Sequence, residues 1–493
     1  MVKCGTDVCK RTIGRWRPYR RLPCSETSGL LVNPKTNSQM AKLAKKVKTA
    51  KGLKLDVVNP DAAGIDVSST ELQVCVPLGR DVTNNRVFGV YTKDLHEISG
   101  WLTRCRVTTV AMESTGIYWL PLFRVLKEDG FDVLLVNARD AKNYSGKKTD
   151  EADAEWLMLL HSYGLLKPCY QPDNISRQIR NLVRHRENLV RSSSREILHL
   201  QKEMEQMNLK LDNVFSDVLG KSGQAIINAI LDGERDAERL ASLADWRCKK
   251  SKEEIMLSLQ ATWDDDHLFV MKQSHDLYLY YQKMIEFCDK KIESILSQYT
   301  AQIDGQGAEL IRSDKQRQAK GNVGMDIERY AFDLWGINAM KIPGISQNSV
   351  MKLVAELGAD FTRKFPDVKH FVSWANLVPN NKISGGHLLS SKVPKKKNPV
   401  GFVFKQCANS LKSSKEPLGD YFRHIKSRSG HMQAIVATAK KIATIFYIMV
   451  ERKQDYDLTI YTSHRKTQLA KNIARLRNKL DRLELEQSLA IAH

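Results

Sequence analysis

The chain has 493 residues, 42% of them hydrophobic, enough to bury at least two cores, because single domains rarely grow beyond a few hundred residues. No run approaches the roughly 20 consecutive apolar residues of a membrane-spanning helix, and the N-terminus lacks the apolar core of a signal peptide, so no membrane partner is expected. The expected location is therefore cytoplasmic and nucleoid-associated, while 77 Lys and Arg against 56 Asp and Glu give a net charge of +21 that points to a polyanionic partner, nucleic acid first among them.

Residues 1–60 hold fourteen Lys and Arg against Asp7, Glu26 and Asp56, a balance of 14 − 3 = +11, and read as a basic extension that is disordered when nothing is bound. The nine cysteines form no CxxC pair and suit reduced thiols; Cys4, Cys9 and Cys24 cluster, but without a neighbouring histidine they are not read as a zinc site. From Ala63 short apolar runs alternate with helical patterns. Ala63–Pro77 (AGIDVSSTELQVCVP) reads as a hairpin of two strands, Arg86–Tyr91 as a third strand, Thr108–Glu113 as a fourth and Phe131–Val136 as a fifth. Leu95–Cys105, Tyr118–Asp129 and Asp150–Tyr163 have helical spacing. Over residues 61–170, three meandering strands followed by alternating helix and strand make the order of an RNase H-like sheet.

From Ser176 the pattern turns to long helix, and 175–300 reads as a coiled-coil or helical domain. Ile197, Leu200, Met204, Met207, Leu211 and Val214 recur at intervals of 3, 4, 3, 4 and 3, and a second seam runs through Leu277, Tyr281, Met284, Cys288, Ile292, Ile295 and Tyr299. Such seams suit an intramolecular hairpin or a dimer interface equally. Residues 301–335 are polar and contain glycine, and read as a linker. A further helical block spans 336–455, and 456–493 form a basic helical tail striped by Leu469, Ile473, Leu476, Leu480 and Leu483. The expected fold class is α/β plus α.

Asp66 stands inside the apolar strand Gly64-Ile65-Asp66-Val67, where a charge is costly unless paired or bound to metal. Glu113 ends the strand Thr109-Val110-Ala111-Met112 in the same predicament. Asp150 and Asp153 are three apart at a helix start, hence on one face, where the helix dipole tolerates acids. Taken singly, these acids read as turn residues or helix caps. Together, if the two strands are neighbours and the helix packs across them, four oxygen donors converge into a hard-ion site for magnesium or manganese, of a kind that polarises a phosphodiester. The letters Asp150-Glu151-Ala152-Asp153 spell a helicase motif, but no GxxxxGK[ST] phosphate loop accompanies them, so an ATP-driven activity is not expected.

Ile342-Pro343-Gly344-Ile345 before a helical pattern resembles a helix-hairpin-helix turn, whose amides, Gly344 among them, can hold a DNA phosphate. Downstream, Ser384-Gly385-Gly386 lies in a segment, Asn381–Lys412, with seven lysines and no acid, including Lys382, Lys392, Lys395, Lys396 and Lys397. A serine before two glycines can sit on an exposed, mobile turn and reach a substrate backbone, although spacing alone favours an ordinary polar loop. His387 and Lys382 are the nearby candidates for a base.

These motifs resemble the DEDD transposases of bacterial insertion sequences, a group that includes the Piv-type DNA invertases. The likeness covers roughly residues 63–165 and 342–450. It rests on Gly-Ile-Asp-Val with Asp66, Met-Glu-Ser-Thr-Gly with Glu113, Lys-Thr-Asp-Glu-Ala-Asp with Asp150 and Asp153, Ile-Pro-Gly-Ile with Gly344, and Ser-Gly-Gly with Ser384. The resemblance implies that the four acids hold Mg2+, with Mn2+ as a substitute, and that Ser384 is a nucleophile forming a transient phosphoserine link to DNA. It implies a RuvC-like RNase H domain joined through a coiled coil to a helical serine-bearing domain. It also implies donor and target DNA as substrates, a bridge RNA that pairs with both, and a homo-oligomer, dimer or tetramer, whose carboxylates and serine come from different subunits. Ile383 stands where relatives usually carry a second serine or another small residue, and Lys397 where a glycine often precedes Asn-Pro. The extension of about 60 residues is longer than expected for the group.

Two other functions fit parts of the pattern. A RuvC-like structure-selective DNA endonuclease would use the four acids alone, with water; an architectural nucleic-acid-binding protein would need none of them, yet all four are present. If the basic extension and the 382–412 lysine segment touch phosphates, binding to DNA should weaken steeply with salt, and deleting residues 1–60 should flatten the log-log slope. A slope unchanged by the deletion would return the extension to a solvated appendage.

Overall fold

The computed structural model describes residues 56–114, 116–137, 150–303, 309–313, 323–394, 397–457, 470 and 473–484. The basic extension therefore lies outside the described residues apart from 56–60. The chain divides into two compact units between Tyr170 and Gln171.

The first unit runs β1 (Ala62–Val67), β2 (Leu72–Cys75), β3 (Asn85–Phe88), α1 (Thr92–Arg104), β4 (Thr109–Glu113), α2 (Trp119–Glu128), β5 (Asp132–Val136) and α3 (Asp150–Ser162). The sheet order is β3-β2-β1-β4-β5, with β2 antiparallel to both β1 and β3, and β4 parallel to both β1 and β5. Every strand and helix expected between 61 and 170 is present, with ends that differ by a few residues. Ser68 closes the β1–β2 turn, its Oγ donating to the Glu71 carbonyl at 2.8 Å and accepting from the Glu71 amide at 3.0 Å. Alternation then sorts the strands into two faces. Ala63, Ile65 and Val67 of β1, with Val110 and Met112 of β4, join one buried core with α1 (Ile98, Trp101, Leu102) and α2 (Leu122, Leu126). The opposite face is left to α3, giving a helix, sheet, helix sandwich.

The second unit is helical. Its elements are α4 (Asn174–Gln206), four short helices α5 (Leu211–Val214), α6 (Lys221–Leu231), α7 (Ala237–Ser242) and α8 (Lys252–Ser258), then α9 (Asp265–Ala301), α10 (Ile327–Trp335), α11 (Gln347–Leu357), α12 (Phe361–Lys364), α13 (Val368–Trp374), a β6–β7 hairpin (Asn380–Ser384, His387–Lys392), α14 (Pro399–Ser410), α15 (Pro417–Ser429) and α16 (His431–Arg452). α4 and α9 pair antiparallel within one chain. Asp173 meets Tyr299 (hydroxyl to Oδ2, 2.9 Å), Arg186 meets Asp289, Ser193 meets Gln282 (2.9 Å) and Glu203 meets His267 (2.7 Å). Of the two arrangements the seams allowed, the structure contains the intramolecular hairpin.

Three expectations need correction here. Met207, Leu211 and Val214 continue the first seam in spacing but not on the same helix: α4 ends at Gln206, and Asn208 takes φ 58°, a left-handed turn after which the amide of Leu209 returns to the carbonyl of Met204 at 2.8 Å. The apolar period persists because all three still pack into the small core formed with α6, α7 and α8. On α9 the deeply buried stripe is Met271, His275, Ile285, Asp289, Ile292 and Leu296, whereas Leu277 is exposed, so the second seam is displaced in its N-terminal half. Residues 301–335 are not linker throughout, since α10 occupies 327–335 and buries Ile327, Ala331, Leu334 and Trp335.

An aromatic core organises the C-terminal block around α16. Phe446 stacks on Phe361 at 5.5 Å and receives Trp335 edge-on at 5.0 Å, and Trp335 Nε1 donates to the Gly358 carbonyl at 2.9 Å. Among the described helices α16 alone is long and apolar enough to cross a membrane; it carries Lys440 and Lys441 mid-length and is largely buried in this core. The tail expected to be helical is helical over residues 473–484, with Ile473, Leu476, Leu480 and Leu483 exposed.

The deepest charge pair lies in the α4–α9 hairpin. Arg186 and Asp289 are 4% and 6% exposed and bonded twice, Nη2 to Oδ2 at 3.1 Å, while Oδ2 also accepts the Gly324 amide at 3.1 Å. Removing one partner leaves a buried charge uncompensated, which costs about 3–5 kcal/mol, whereas apolar replacement of both is close to neutral. Asp289→Ala should therefore lower the urea midpoint strongly and the Arg186→Met/Asp289→Leu double variant much less. Equal losses in the two proteins would show that the pair does not act as a unit.

Candidate functional site

β1 and β4 are adjacent and parallel, with Gly64 opposite Ala111 and Ile65 opposite Met112. Continuing that register by one residue sets Asp66 opposite Glu113. Both fall on the α3 side of the sheet, because Gly64 and Asp66 share a face of β1 and Thr109, Ala111 and Glu113 share a face of β4. α3 rests on this face without intervening side chains: a Cβ built on Gly64 would lie 2.2 Å from the Ala154 carbonyl oxygen and 2.3 Å from the Met158 amide nitrogen.

The direction of α3 follows from what its C-terminal end touches. His161 Nε2 and Thr109 Oγ1, at the start of β4, are 2.8 Å apart, and the Ser162 carbonyl accepts the amides of Val58 and Asn59, just before β1, at 2.8 and 2.9 Å. The helix is thus antiparallel to β1 and β4, and its first turn lies toward their carboxyl ends, where Asp66 and Glu113 stand. Asp66 is two residues, or about 6–7 Å, beyond the Gly64 contact. Along the helix, Asp153 is about 4–5 Å and Asp150 about 9 Å back from the same contact. The level of Asp66 falls between them.

Glu113 is 6% exposed, Asp66 and Asp153 are half-buried, and the side chain of Asp150 lies outside the described residues. Among the described residues no three His, Cys, Asp or Glu side chains are gathered closely enough to hold an ion by themselves. The donor set suits a hard divalent cation, being all carboxylate, set beside a helix N-terminus and partly withdrawn from water. Gln73 of β2 flanks Asp66 on its other side in register, is buried, and donates to Asn85 Oδ1. Beneath α3, burial and then the nearby Glu155 carboxylate push the Cys75 thiol up to about 12, against a hydrogen bond from Asn84, so it stays protonated. Burial also lowers His161 from its ordinary value, with Asp132 opposing.

Ser384 belongs to the second unit. It is not on the turn itself but is the last residue of β6, followed by Gly385 (φ 54°) and Gly386 (φ 80°), a two-residue turn whose positive φ values at both positions need glycine or a similar residue. His387 faces it across the hairpin, and Lys382 pairs with Ser390 beyond an irregularity that leaves Leu389 as the extra residue. The polar loop that the spacing around Ser384 favours is instead a hairpin, one exposed on both faces and therefore without apolar alternation. Lys382, Lys392 and Lys397 are exposed; Lys395 and Lys396 lie outside the described residues.

Gly344 has φ 86°, and a Cβ there would lie 2.6 Å from the Cys407 carbonyl oxygen and 3.1 Å from Leu411 Cγ, so the turn before α11 is tightly packed against α14. Packing accounts for this glycine without a phosphate. Asn398, passed over in the sequence, caps α14: its Oδ1 accepts from the Gly401 amide at 3.0 Å, its Nδ2 donates to the Trp374 carbonyl at 2.9 Å, and Pro399 follows at the first helical position.

Residues 63–209 match a family model for a DEDD transposase of the IS110 type, and residues 338–422 match the model for the transposase IS116/IS110/IS902 family. The chain belongs to the IS110 family of DEDD transposases. The first match takes in the whole sheet, α3 and α4; the second contains the α11–α14 block with the serine hairpin. No curated protein matches the chain. The family assignment supports a transposase acting on DNA and agrees with the basic charge of the transposase.

Gly64 tests whether the site depends on close contact by α3. Gly64→Ala in the transposase forces backbone atoms apart, at a cost of about 3 kcal/mol. The variant should lose thermal stability and DNA-cleaving activity together although no acid has changed. Full activity at an unchanged unfolding temperature would show that α3 can be displaced without consequence.

Proposed function

We propose that the transposase cuts and rejoins DNA with a carboxylate-held metal site in an RNase H-like domain of the RuvC type and a serine nucleophile in its C-terminal block. The observation that carries the first half is the antiparallel course of α3, whose Asp-x-x-Asp start runs toward the adjacent carboxylates Asp66 and Glu113. The sheet order β3-β2-β1-β4-β5, with β2 alone reversed, supports the RNase H-like reading. In this reading Asp66, Glu113, Asp150 and Asp153 hold Mg2+ or Mn2+, which supplies Lewis-acid polarisation of the scissile phosphate. Ser384 attacks phosphorus, and the transient ester keeps the bond energy that rejoining needs. Lys382, Lys392, Lys395, Lys396 and Lys397 neutralise backbone phosphates, and the turn at Gly344 lies in the same DNA-binding block. A bridge RNA that pairs with donor and target DNA, and a homo-oligomer in which different subunits contribute acids and serine, complete the reading on family resemblance.

Replacing Asp66, Glu113, Asp150 or Asp153 by Ala should abolish recombination while the circular dichroism spectrum stays native. Wild-type protein with magnesium and DNA carrying a cleavage-trapping end should become covalently attached through Ser384, and Ser384→Ala should bind DNA yet form no adduct and no joined product. Full cleavage by Ser384→Ala would favour a RuvC-like endonuclease that uses water. Attachment mapped to Ser390, Ser391 or a tyrosine would identify a different nucleophile.

A further inference from the structure

A phosphoserine mechanism must remove a proton from a hydroxyl that is a poor nucleophile at neutral pH, so the surroundings of Ser384 matter as much as the residue. Ser384 and His387 are paired residues flanking a two-residue turn, directly opposite in the hairpin register. Residues so paired project to the same face with Cβ atoms about 5 Å apart. At that spacing an imidazole nitrogen can come within the roughly 2.6–3.2 Å of a serine oxygen that proton transfer requires, after rotation about side-chain torsions alone. Both residues are exposed. Lys382, two residues before Ser384, lies on the same face, while Ile383 and Leu388 pair on the other. The hairpin's charged groups are Lys382 and Lys392, with no carboxylate among its residues.

We propose that His387 is the proton acceptor for Ser384, and that Lys382 on the same face of the hairpin contacts the phosphate under attack. This rests on the reading of Ser384 as the nucleophile. In cleavage the imidazole takes the Oγ proton as the Oγ–P bond forms. The P–O bond to one DNA segment breaks, and its electron pair leaves on the DNA oxygen, which takes a proton from water. In rejoining a DNA hydroxyl attacks phosphorus and gives its proton to water, the Oγ–P bond breaks, and the imidazolium returns its proton to Oγ. The histidine ends as it began, and no oxidant or reductant is involved.

The pairing can be read without DNA. In a Ser384→Cys protein, iodoacetamide labelling followed peptide by peptide across pH reports the thiolate at this position separately from the nine native cysteines. A neighbouring imidazolium stabilises the thiolate, so labelling should reach half its maximum at least about one pH unit below the 8.5 of a free cysteine, and return there in Ser384→Cys/His387→Asn. Identical labelling profiles in the two proteins would overturn the proposal whatever nucleophile the enzyme uses.

A second measurement uses the unmodified serine: full-length protein, magnesium, DNA bearing the ends of its insertion sequence and RNA transcribed from those ends. His387→Asn should slow adduct formation about 100-fold and remove the acid limb expected in the wild-type pH–rate profile, and Lys382→Ala should weaken DNA binding without moving that limb. Adduct formation by His387→Asn at the wild-type rate and pH profile would also overturn the proposal. Absence of any Ser384 adduct in wild type would count against the serine mechanism, and the thiol measurement would still decide whether the pair exists.

Discussion

The first unit depends on a contact between two backbones. With only a hydrogen on Gly64, the Ala154–Met158 turn of α3 sits directly on β1. That closeness brings α3 directly onto the face of the sheet that carries Asp66 and Glu113. A helix held off by one side-chain layer would lie about 10 Å from the sheet, too far for the metal site proposed above. The orientation is set at the other end, where His161 and Ser162 engage Thr109 and the residues leading into β1. Contacts at the C-terminal end of α3 thus fix where its first turn lies, so a change near His161 would test the proposed site without touching an acid.

The second unit is held by charge as well as by apolar packing. Glu356, near the end of α11, is buried and receives both Arg180 and Arg184 of α4, at 3.1 and 2.7 Å, and Lys352 of α11 pairs with Glu187 of α4 at 2.7 Å. Where these helices meet, Gly358 (φ 70°) approaches Asp173 and Ser176 too closely to carry a side chain. α11 is therefore tied to the foot of the long hairpin by directional bonds that fix its rotation and its slide. An apolar interface alone would constrain these less sharply, since packing of similar quality often survives small shifts.

Much of the first unit was legible in sequence because its strands alternate and its helices carry unambiguous apolar spacing. Asp66 and Glu113 stood out as charges in apolar runs, and the sheet register sets them side by side. The reason for Gly64 was not legible, since the atoms that forbid a Cβ belong to a helix about ninety residues later. Periodicity over-reached where it ignored the backbone: Met207, Leu211 and Val214 keep the heptad beat through a turn that Asn208 makes by adopting positive φ. It under-reached at α10, whose short apolar face follows a polar stretch that resembles linker. The β6–β7 hairpin left no alternating signal because neither of its faces is buried. The facing of Ser384 and His387 depends on the turn between them, whose two glycines were visible while the strand pairing was not.

The place where the long hairpin opens has a consequence for how such a chain can change over generations. The chain leaves α4 at Met207 and returns by Thr262, whose amide donates to the Met207 carbonyl at 2.9 Å, while Lys210 and Ser258 are bonded just beyond at 2.9 Å. Exit and entry are neighbours, so the small helical module between them closes on itself like a bead on a clasp. Its length is uncoupled from the pairing of Arg186 with Asp289 or of Asp173 with Tyr299. Insertions or losses in this module would be absorbed locally, and the tip could diversify while the foot, which carries the serine block, stays in place.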